Sequence, residues 1–380
     1  MSGLAARLIR HDVRDFRNLA HVELAPAAEG LVLVGENGQG KTNLLESIYY
    51  LQILRSARGA RDQDLVRFGA DAFHIGATVE TNARHEIGVG YERATKRKRT
   101  RIDGVVPERL SDALGSLPSV MFSPNDVELV AGSPSARRRY LDIMLALTAR
   151  GYLTALQHYR AALARRNAAL RETARTGRAS DASVAVWEPA LAEHGARLWS
   201  ERRMWVASIE TRFEELCREI GETGRARVRY ASSVNPSNDL AQSLAAALSE
   251  KRSLDLRRGL THAGPHRDDI AITLSGSDGT PRDLRTFGSA GQQRSAAIAL
   301  RMLEASTFRE RTGRAPVFLL DDPFAELDTR RASRVLSVLT AERMGQTILA
   351  VPRESDIPAE LTGLERFRVA GGEIERHVFA

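Results

Sequence analysis

The 380-residue sequence predicts an α/β fold, a mixed sheet interrupted by an inserted α-helical lobe. A fully apolar run, Leu31–Val34, leads through a glycine-rich segment into a helical pattern, which is the strand–turn–helix order of an α/β unit. Apolar residues change to helical spacing between about residues 135 and 255, and strand-like runs return from about residue 260.

Leu8–Val13 alternates and Val22–Leu24 is short, so both read as strands; Leu31–Val34 lacks a polar face and is expected at the centre of the sheet. A helix is predicted over Asn43–Leu54, with Leu44, Leu45, Ile48, Tyr49 and Leu51 toward the sheet. His74–Glu80, Glu86–Tyr91 and Thr100–Ile102 read as antiparallel strands and Asp103-Gly104 as a turn. Tyr152, Leu156, Tyr159, Leu163 and Leu170 form one helical stripe; Trp187, Leu191 and Leu198 begin a second, which Trp205, Ile209, Phe213, Leu216 and Ile220 continue. The polar stretch Glu172–Asp181, with Gly177, joins them into a helical hairpin of modest length, too short for a coiled-coil arm. Beyond it Ile270–Leu274, Val317–Leu320 and Thr347–Val351 are strands, and Gln292–Glu304 and Arg330–Leu339 helices. The expected division is residues 1–130, 131–258 and 259–380.

A single cysteine, Cys217, excludes a disulfide framework and a thiol metal cluster. No apolar stretch approaches a membrane span and the amino terminus has no signal-peptide pattern, so a soluble cytoplasmic protein without a membrane partner is expected. The net charge of +7 points to an anionic partner. Arg93, Lys96, Arg97, Lys98, Arg99 and Arg101 occupy nine residues that contain no acid, and Arg137-Arg138-Arg139, Arg165-Arg166 and Arg225/Arg227/Arg229 are further clusters. One such run is as readily a solvated surface as a binding site; several together favour nucleic-acid phosphates, with the 93–101 run as the candidate DNA contact.

The segment Gly35-Glu36-Asn37-Gly38-Gln39-Gly40-Lys41-Thr42 is a phosphate-binding loop in its confirming context. Its glycines let backbone N–H groups close around phosphates, Lys41 reaches the β- and γ-phosphates, and Thr42 ligates Mg²⁺. Only four of the fifty-five basic residues are lysines, and one stands here, where a compact point charge fits better than a planar fork. The apolar run Val317–Leu320 delivers Asp321, a candidate Mg²⁺ carboxylate, and Asp322, placed for a base or water-orienting group. Upstream, Ser289-Ala290-Gly291-Gln292-Gln293-Arg294 opens a helix whose Ser289 hydroxyl and free N–H groups, with Gly291 and Gln292, suit a γ-phosphate. The two halves match the ABC-type ATPase pattern, in which the signature helix of one subunit completes the ATP site of another. ATP and Mg²⁺ as cofactors and an ATP-dependent homodimer are therefore expected.

At these motifs the sequence resembles the RecF family of SMC-like ABC ATPases, over essentially its whole length. The resemblance rests on Gly35–Tyr50, on Met121–Asp142, on the Gly-Pro-His-Arg-Asp-Asp block within Thr261–Asp269, on Phe287–Arg294 and on Phe318–Asp328. It implies an ABC-type head with an inserted helical lobe. It also implies a slow ATPase that dimerises with ATP, binds single-stranded and duplex DNA at gap junctions, and loads a recombinase with RecR and RecO. By motif it assigns Lys41 and Thr42 to nucleotide and Mg²⁺, Asp321 to the metal, Asp322 to hydrolysis, and Ser289 to the contact in trans. The sequence departs from the family at Arg55-Ser56-Ala57-Arg58, where an aromatic usually stands third, and it lacks the switch histidine of transporter ATPases after Val351. His266 and Arg267 fit equally a role lining the site or bracing a turn. An energy-coupling ATPase of a transporter and an ABC-like DNA nuclease are the rivals. The helical hairpin and the missing histidine argue against the first, and the lack of a second carboxylate or histidine cluster argues against the second.

Overall fold

The computed structural model describes residues 4–176, 181–234, 237–276, 278–325, 327–341 and 345–376; Gly177 and Glu326 lie outside them. Strands β1 (Arg7–Phe16) and β2 (Leu19–Leu24) form a hairpin, β3 (Gly30–Val34) enters the glycine-rich loop and α1 (Lys41–Ile53) leaves it. An antiparallel meander follows, β4 (Ala72–Glu80), β5 (Arg84–Glu92) and β6 (Arg97–Ile102), and then β7 (Ser119–Phe122). Helices α2 (Pro134–Thr148), α3 (Tyr152–Thr176) and α4 (Glu188–Ile220) precede β8 (Ala226–Ala231) and α5 (Leu240–Arg258). Strands β9 (Asp269–Ser275) and β10 (Pro281–Asp283) lead to α6 (Ala290–Thr312). The chain ends through β11 (Val317–Asp321), α7 (Thr329–Ala341), β12 (Thr347–Val351), β13 (Glu365–Ala370) and β14 (Glu373–Arg376). These elements form two compact units: Met1–Asp126 with Glu219–Gly221 and Ile298–Ala380, and Val127–Arg218 with Glu222–Ala297.

The first unit contains a six-stranded mixed sheet in the order β14-β13-β3-β12-β11-β7. Its strands are parallel except β14, and β3 lies inside it, as its unbroken apolar run requires: Leu31, Val32 and Leu33 are fully buried. A five-stranded antiparallel sheet, β2-β1-β4-β5-β6, buries alternate residues on one face, among them Val13, Ile75, Val79 and Val89. Tyr50 of α1 meets Phe16 and Phe73 of this sheet edge-on, with ring centroids 6.2 and 5.6 Å apart. The basic run, expected at a hairpin connection or edge, occupies both: Arg93 and Lys96 lie in the β5–β6 connection, and Arg97–Arg101 in edge strand β6, which pairs with β5 from Glu92↔Arg97 to Ile87↔Ile102. Charge on an edge strand also opposes edge-to-edge aggregation.

In the second unit α3 and α4 form the expected hairpin, but α4 has 33 residues. At 1.5 Å per residue that is roughly 50 Å, longer than the modest hairpin anticipated. The reason is an unbroken stripe: Trp199, Trp205, Phe213 and Leu216 are all buried, and Pro189 sits in the first turn, where its missing N–H costs nothing. Two buried arginines tie the helices together. Arg166 reaches Asp255 and Glu188 at 2.8 and 2.9 Å, and Arg202 reaches Asp142 at 2.6 Å. A three-stranded antiparallel sheet, β10-β9-β8, completes this unit.

Candidate nucleotide site and nucleic-acid face

The loop between β3 and α1 needs glycine for two different reasons. At Gly35 a Cβ would come within 2.2 Å of the Val369 carbonyl, so no side chain fits. Gly40 caps α1 with φ near 118°, a left-handed conformation, and a Cβ there would meet the Asn18 amide at 3.0 Å. The loop is pinned from outside: Gly371 N donates to Gln39 Oε1 at 2.7 Å and Gly372 N to Gln39 O at 2.8 Å. Asn18 Nδ2 donates to the same carbonyl at 3.2 Å. Glu36, Asn37 and Gly38 face solvent, and backbone groups here can serve an anion without displacing side chains.

Lys41 is buried, and its Nζ donates to the Gly35 and Glu36 carbonyls at 2.5 and 2.8 Å. Burial lowers its pKa, while the carboxylates of Asp321 and Asp322 oppose that shift. Thr42 Oγ1 donates to Asp321 Oδ2 at 2.8 Å and lies 3.0 Å from Oδ1. Burial pushes the Asp321 carboxyl up; the Thr42 hydrogen bond and Lys41 pull it back. A hydroxyl and a carboxylate are hard oxygen donors of the kind Mg²⁺ takes, so the pair fits that ion. Asp322 follows in a left-handed conformation with φ 45°, its N–H bound to the Ala350 carbonyl at 2.9 Å. Four side chains singled out from the sequence, Lys41, Thr42, Asp321 and Asp322, thus sit at or just beyond the carboxyl ends of β3 and β11, where α/β sheets place ligands.

A buried carboxylate that sequence reasoning missed braces the same helix. Glu46, fully buried, accepts from Arg17 at 3.1 Å, and also from Arg58 and Ser56. Burial alone would raise its pKa, but the hydrogen bonds of Arg58 and Ser56 and the field of Arg17 hold it below the ordinary carboxylate range. Arg58 also donates to Asn43. The Arg55–Arg58 stretch, aromatic-free in this chain, therefore closes over α1 by charge.

In the second unit Ser289 and Gln292 form a reciprocal cap on α6. Gln292 N donates to Ser289 Oγ at 3.3 Å and Ser289 N to Gln292 Oε1 at 2.9 Å. Ser289 is exposed and Gly291 half-buried, so the first turn of α6 remains open to a ligand.

The Gly-Pro-His-Arg-Asp-Asp block is a brace. His266 Nε2 lies 3.1 Å from the Thr261 carbonyl, which can only accept, so Nε2 carries the proton. Its Nδ1 then accepts from Tyr159 Oη at 2.7 Å. Gly264 has φ near 126°, and a Cβ there would strike Tyr159 Oη at 2.4 Å. Asp268 accepts from Trp199 Nε1, from Tyr230 Oη at 2.7 Å and from Ser233 N at 2.7 Å, while Arg137 grips Asp269 with two bonds of 2.6 and 2.8 Å. Arg267 donates Nε to the Thr261 carbonyl at 3.0 Å and is otherwise exposed.

The strand period divides the 93–101 run. Arg97, Arg99 and Arg101 point to the solvent face of β6, and their side chains have no ion-pair or hydrogen-bond partner among the described residues. Lys98 leaves that set: it turns inward to Asp62 at 2.8 Å and the Leu54 carbonyl at 2.5 Å, with its Nζ 5.2 Å from the centre of the Tyr50 ring. Arg93 donates to the Val66 carbonyl at 3.3 Å, and Lys96 is exposed with φ 53° at the turn. Register carries the face further. Arg14, His74, Gly90 and Arg99 lie in one cross-strand row, and Asp12, Gly76, Gly88 and Arg101 in the next. Gly76 and Gly88 floor a hollow of about 460 Å³ with Arg10 and Arg14 on one side and Arg101 on the other, and Asp12 and Glu86 line it too. Arg10 and Arg14 were not singled out from the sequence, because they lie far from the basic run; the alternation that separates Lys98 from its neighbours was legible there.

The sequence matches the SMC_N family, described as the RecF/RecN/SMC N terminal domain, over residues 7–357. It is 38% identical to a DNA replication and repair protein RecF of Chloroflexus aurantiacus, covering 95% of this chain and 97% of that one. It is 34% identical to the RecF of Herpetosiphon aurantiacus, covering 96% and 98%. A solved structure described as the recombination mediator protein RecF–ATP in the RecFOR pathway superposes with a TM-score of 0.88 at 29% identity, covering 99% of each chain. An SMC head bound to the C-winged helix domain of ScpA, 15% identical with a TM-score of 0.56, shares the fold. With this motif order on an ABC-type ATPase head, the chain belongs to the RecF family of DNA replication and repair proteins.

Proposed function

We propose that this chain is an ATP-gated DNA-binding protein of recombinational repair and replication-gap recovery. The observation that carries the reading is the meeting of Thr42 with Asp321 beside Lys41, which assembles a phosphate loop and a metal carboxylate from opposite ends of the chain. Mg²⁺, held by Thr42 and Asp321, would neutralise charge on the β- and γ-phosphates. Lys41 exchanges its loop carbonyls for phosphate oxygens, and Asp322 orients the attacking water. A shorter carboxylate than glutamate at that position holds the water less closely, in keeping with a weak, DNA-stimulated ATPase that acts as a timer.

Two copies join when Ser289, Gly291 and Gln292 of each meet the γ-phosphate bound by the other. Arg97, Arg99 and Arg101, with Arg10 and Arg14, supply the contact to DNA phosphates, and hydrolysis releases the DNA. Alternate residues of a strand are roughly 7 Å apart, a repeat similar to that of successive phosphates on an extended nucleic-acid strand. The single- and double-stranded arms of a gap junction are the expected targets, with RecR and RecO as partners in recombinase loading.

Anisotropy of a labelled gapped duplex, titrated with the protein in ATP, ADP or no nucleotide, tests this reading. Tighter binding with ATP alone supports it. Equal binding in all three conditions would separate the nucleotide from DNA affinity and refute the gate.

A further inference from the structure

The exposed crown of the phosphate loop carries a chemically reactive pair. Asn37 and Gly38 are both exposed and form the turn that β3 enters. Of the asparagines in the sequence, Asn37 alone is followed by glycine. Its side-chain amide and the Gly38 N–H have no hydrogen-bond partner among the described residues. Gly38 has φ 83°, and a Cβ placed on it would meet no atom within 4 Å, so nothing crowds the pair from that side.

Other asparagines are held differently. Asn18 donates to the Gln39 carbonyl at 3.2 Å and accepts from Asn43 Nδ2 at 2.7 Å, and Asn43 Oδ1 in turn accepts from Arg58. Asn167 Oδ1 accepts from Thr261 N at 2.9 Å. The residues that follow these three, Leu19, Leu44 and Ala168, each carry a Cβ. A Cβ hinders the approach of a backbone nitrogen to the side chain before it; glycine has none and bends freely. At Asn37 an unengaged amide carbon therefore stands next to an unengaged, unhindered nitrogen.

We propose that Asn37 is a site of spontaneous covalent self-modification, and that phosphates held in the loop suppress it. The Gly38 nitrogen, having lost its proton to hydroxide, attacks Asn37 Cγ. The new N–C bond closes a cyclic imide, the bond from Cγ to Nδ2 breaks, and the amide nitrogen takes protons from water and leaves as ammonia. A second water opens the imide. Where it breaks the new bond to Cγ the product is aspartate; where it breaks the original peptide bond the product is isoaspartate, with the chain routed through the side chain. Water and hydroxide are the only co-reactants.

Both products place a carboxylate in a loop whose backbone N–H groups are set to receive anions, and isoaspartate also lengthens the backbone and displaces those groups. Conversely, an N–H engaged by a phosphate oxygen does not act as a nucleophile. The pins on Gln39 from Gly371 and Gly372 hold the loop beyond the reactive pair and leave that pair uncovered. An occupied loop thus persists and an empty one ages. The inference rests on the nucleotide reading above and adds to it a chemical lifetime for the empty site.

The test incubates the nucleotide-free protein at neutral and mildly alkaline pH, alone or with ATP and Mg²⁺, and follows its digested peptides by mass spectrometry. The Asn37 peptide should convert from amide to acid ahead of those carrying Asn18, Asn43 and Asn167, faster at the higher pH and several-fold more slowly with ATP. Aged protein, separated from fresh by ion exchange, should bind ATP about 10-fold or more weakly, because like charges now meet in the loop. Freshly made Asn37→Asp should show the same loss. Asn37→Gln, whose longer side chain closes an imide far more slowly, should keep whatever affinity it starts with. Survival of the Asn37 amide in the folded protein, while the denatured chain converts in the same buffer, would overturn the proposal. Equal conversion with and without ATP, where calorimetry shows ATP bound, would overturn the protection by phosphates. A fresh protein that ages at Asn37 but binds no ATP would overturn the nucleotide reading, a result distinct from both.

Discussion

Thr42 Oγ1 donates to the Asp321 carboxylate at 2.8 Å, although 279 positions separate the two residues in the chain. The contact forms because β3 and β11 both pair with β12, so their carboxyl ends lie one strand apart and deliver both groups to one point. Asp321→Asn keeps the shape of the side chain and removes the charge that a cation needs. ATP affinity measured calorimetrically in Mg²⁺ and in EDTA should differ for the unaltered protein. In Asp321→Asn that difference should shrink by about 10-fold or more, an effect in the range of 1.4 kcal/mol per decade.

Lys41→Met should abolish ATP binding and ATP-driven dimerisation, because no other buried cation among the described residues binds the loop carbonyls. Sedimentation with and without ATP checks this, and an ATP-dependent dimer of Lys41→Met would remove Lys41 from phosphate binding.

Asp322 offers a cleaner separation of binding from hydrolysis. Its left-handed φ of 45° is one that asparagine tolerates well, so Asp322→Asn should fold normally. Loss of a positioned carboxylate should slow turnover by roughly 100-fold or more while ATP affinity stays within a few-fold. The ATP-bound dimer should then accumulate in size-exclusion runs, and unaltered turnover would exclude Asp322 as the catalytic carboxylate.

The two faces of β6 should respond in opposite ways to mutation. Arg99→Gln with Arg101→Gln should lower DNA affinity and reduce the slope of log K against log salt by about 2, close to 0.9 for each phosphate deprived of its arginine. Lys98→Met should leave that slope alone. It breaks the bonds to Asp62 and Leu54, so it should lower the unfolding free energy by about 1–3 kcal/mol, read from denaturant midpoints.

His266 makes the second unit pH-sensitive. Burial, the largest influence, pushes its pKa from the ordinary 6.5 down to about 4, so the folded protein holds the neutral ring. The unfolded chain binds the extra proton first. Stability is therefore complete above pH 6.5 and falls as pH drops toward about 4, with no further loss from this group below that value. His11, fully buried in the first unit and pushed down to about 3, acts in the same direction. Denaturant midpoints measured between pH 4 and 7 should fall with acidity, and His266→Gln should flatten the slope in that window.

Much of the candidate nucleotide site was readable in the sequence because its parts are contiguous. Gly35–Thr42 carries its own strand, turn and helix start, Asp321-Asp322 ends its own apolar strand, and Ser289-Gln292 is a helix cap by local spacing. Local backbone preference and the burial of apolar runs suffice to place such groups at element ends. The period-2 alternation of Arg97, Arg99 and Arg101 against Lys98 was equally local, and it assigns the face once the segment is known to be a strand. Tertiary structure alone decided which distant elements meet. Strand pairing brought Arg10 and Arg14 onto the face shared with Arg99 and Arg101, and it set the β13–β14 turn against Gln39 of the phosphate loop. The packing of α3 against the residues after α5 gave His266 its Tyr159 partner, 107 positions away. Register between remote strands and the packing of helices depend on the whole core at once, so no short window of sequence contains them.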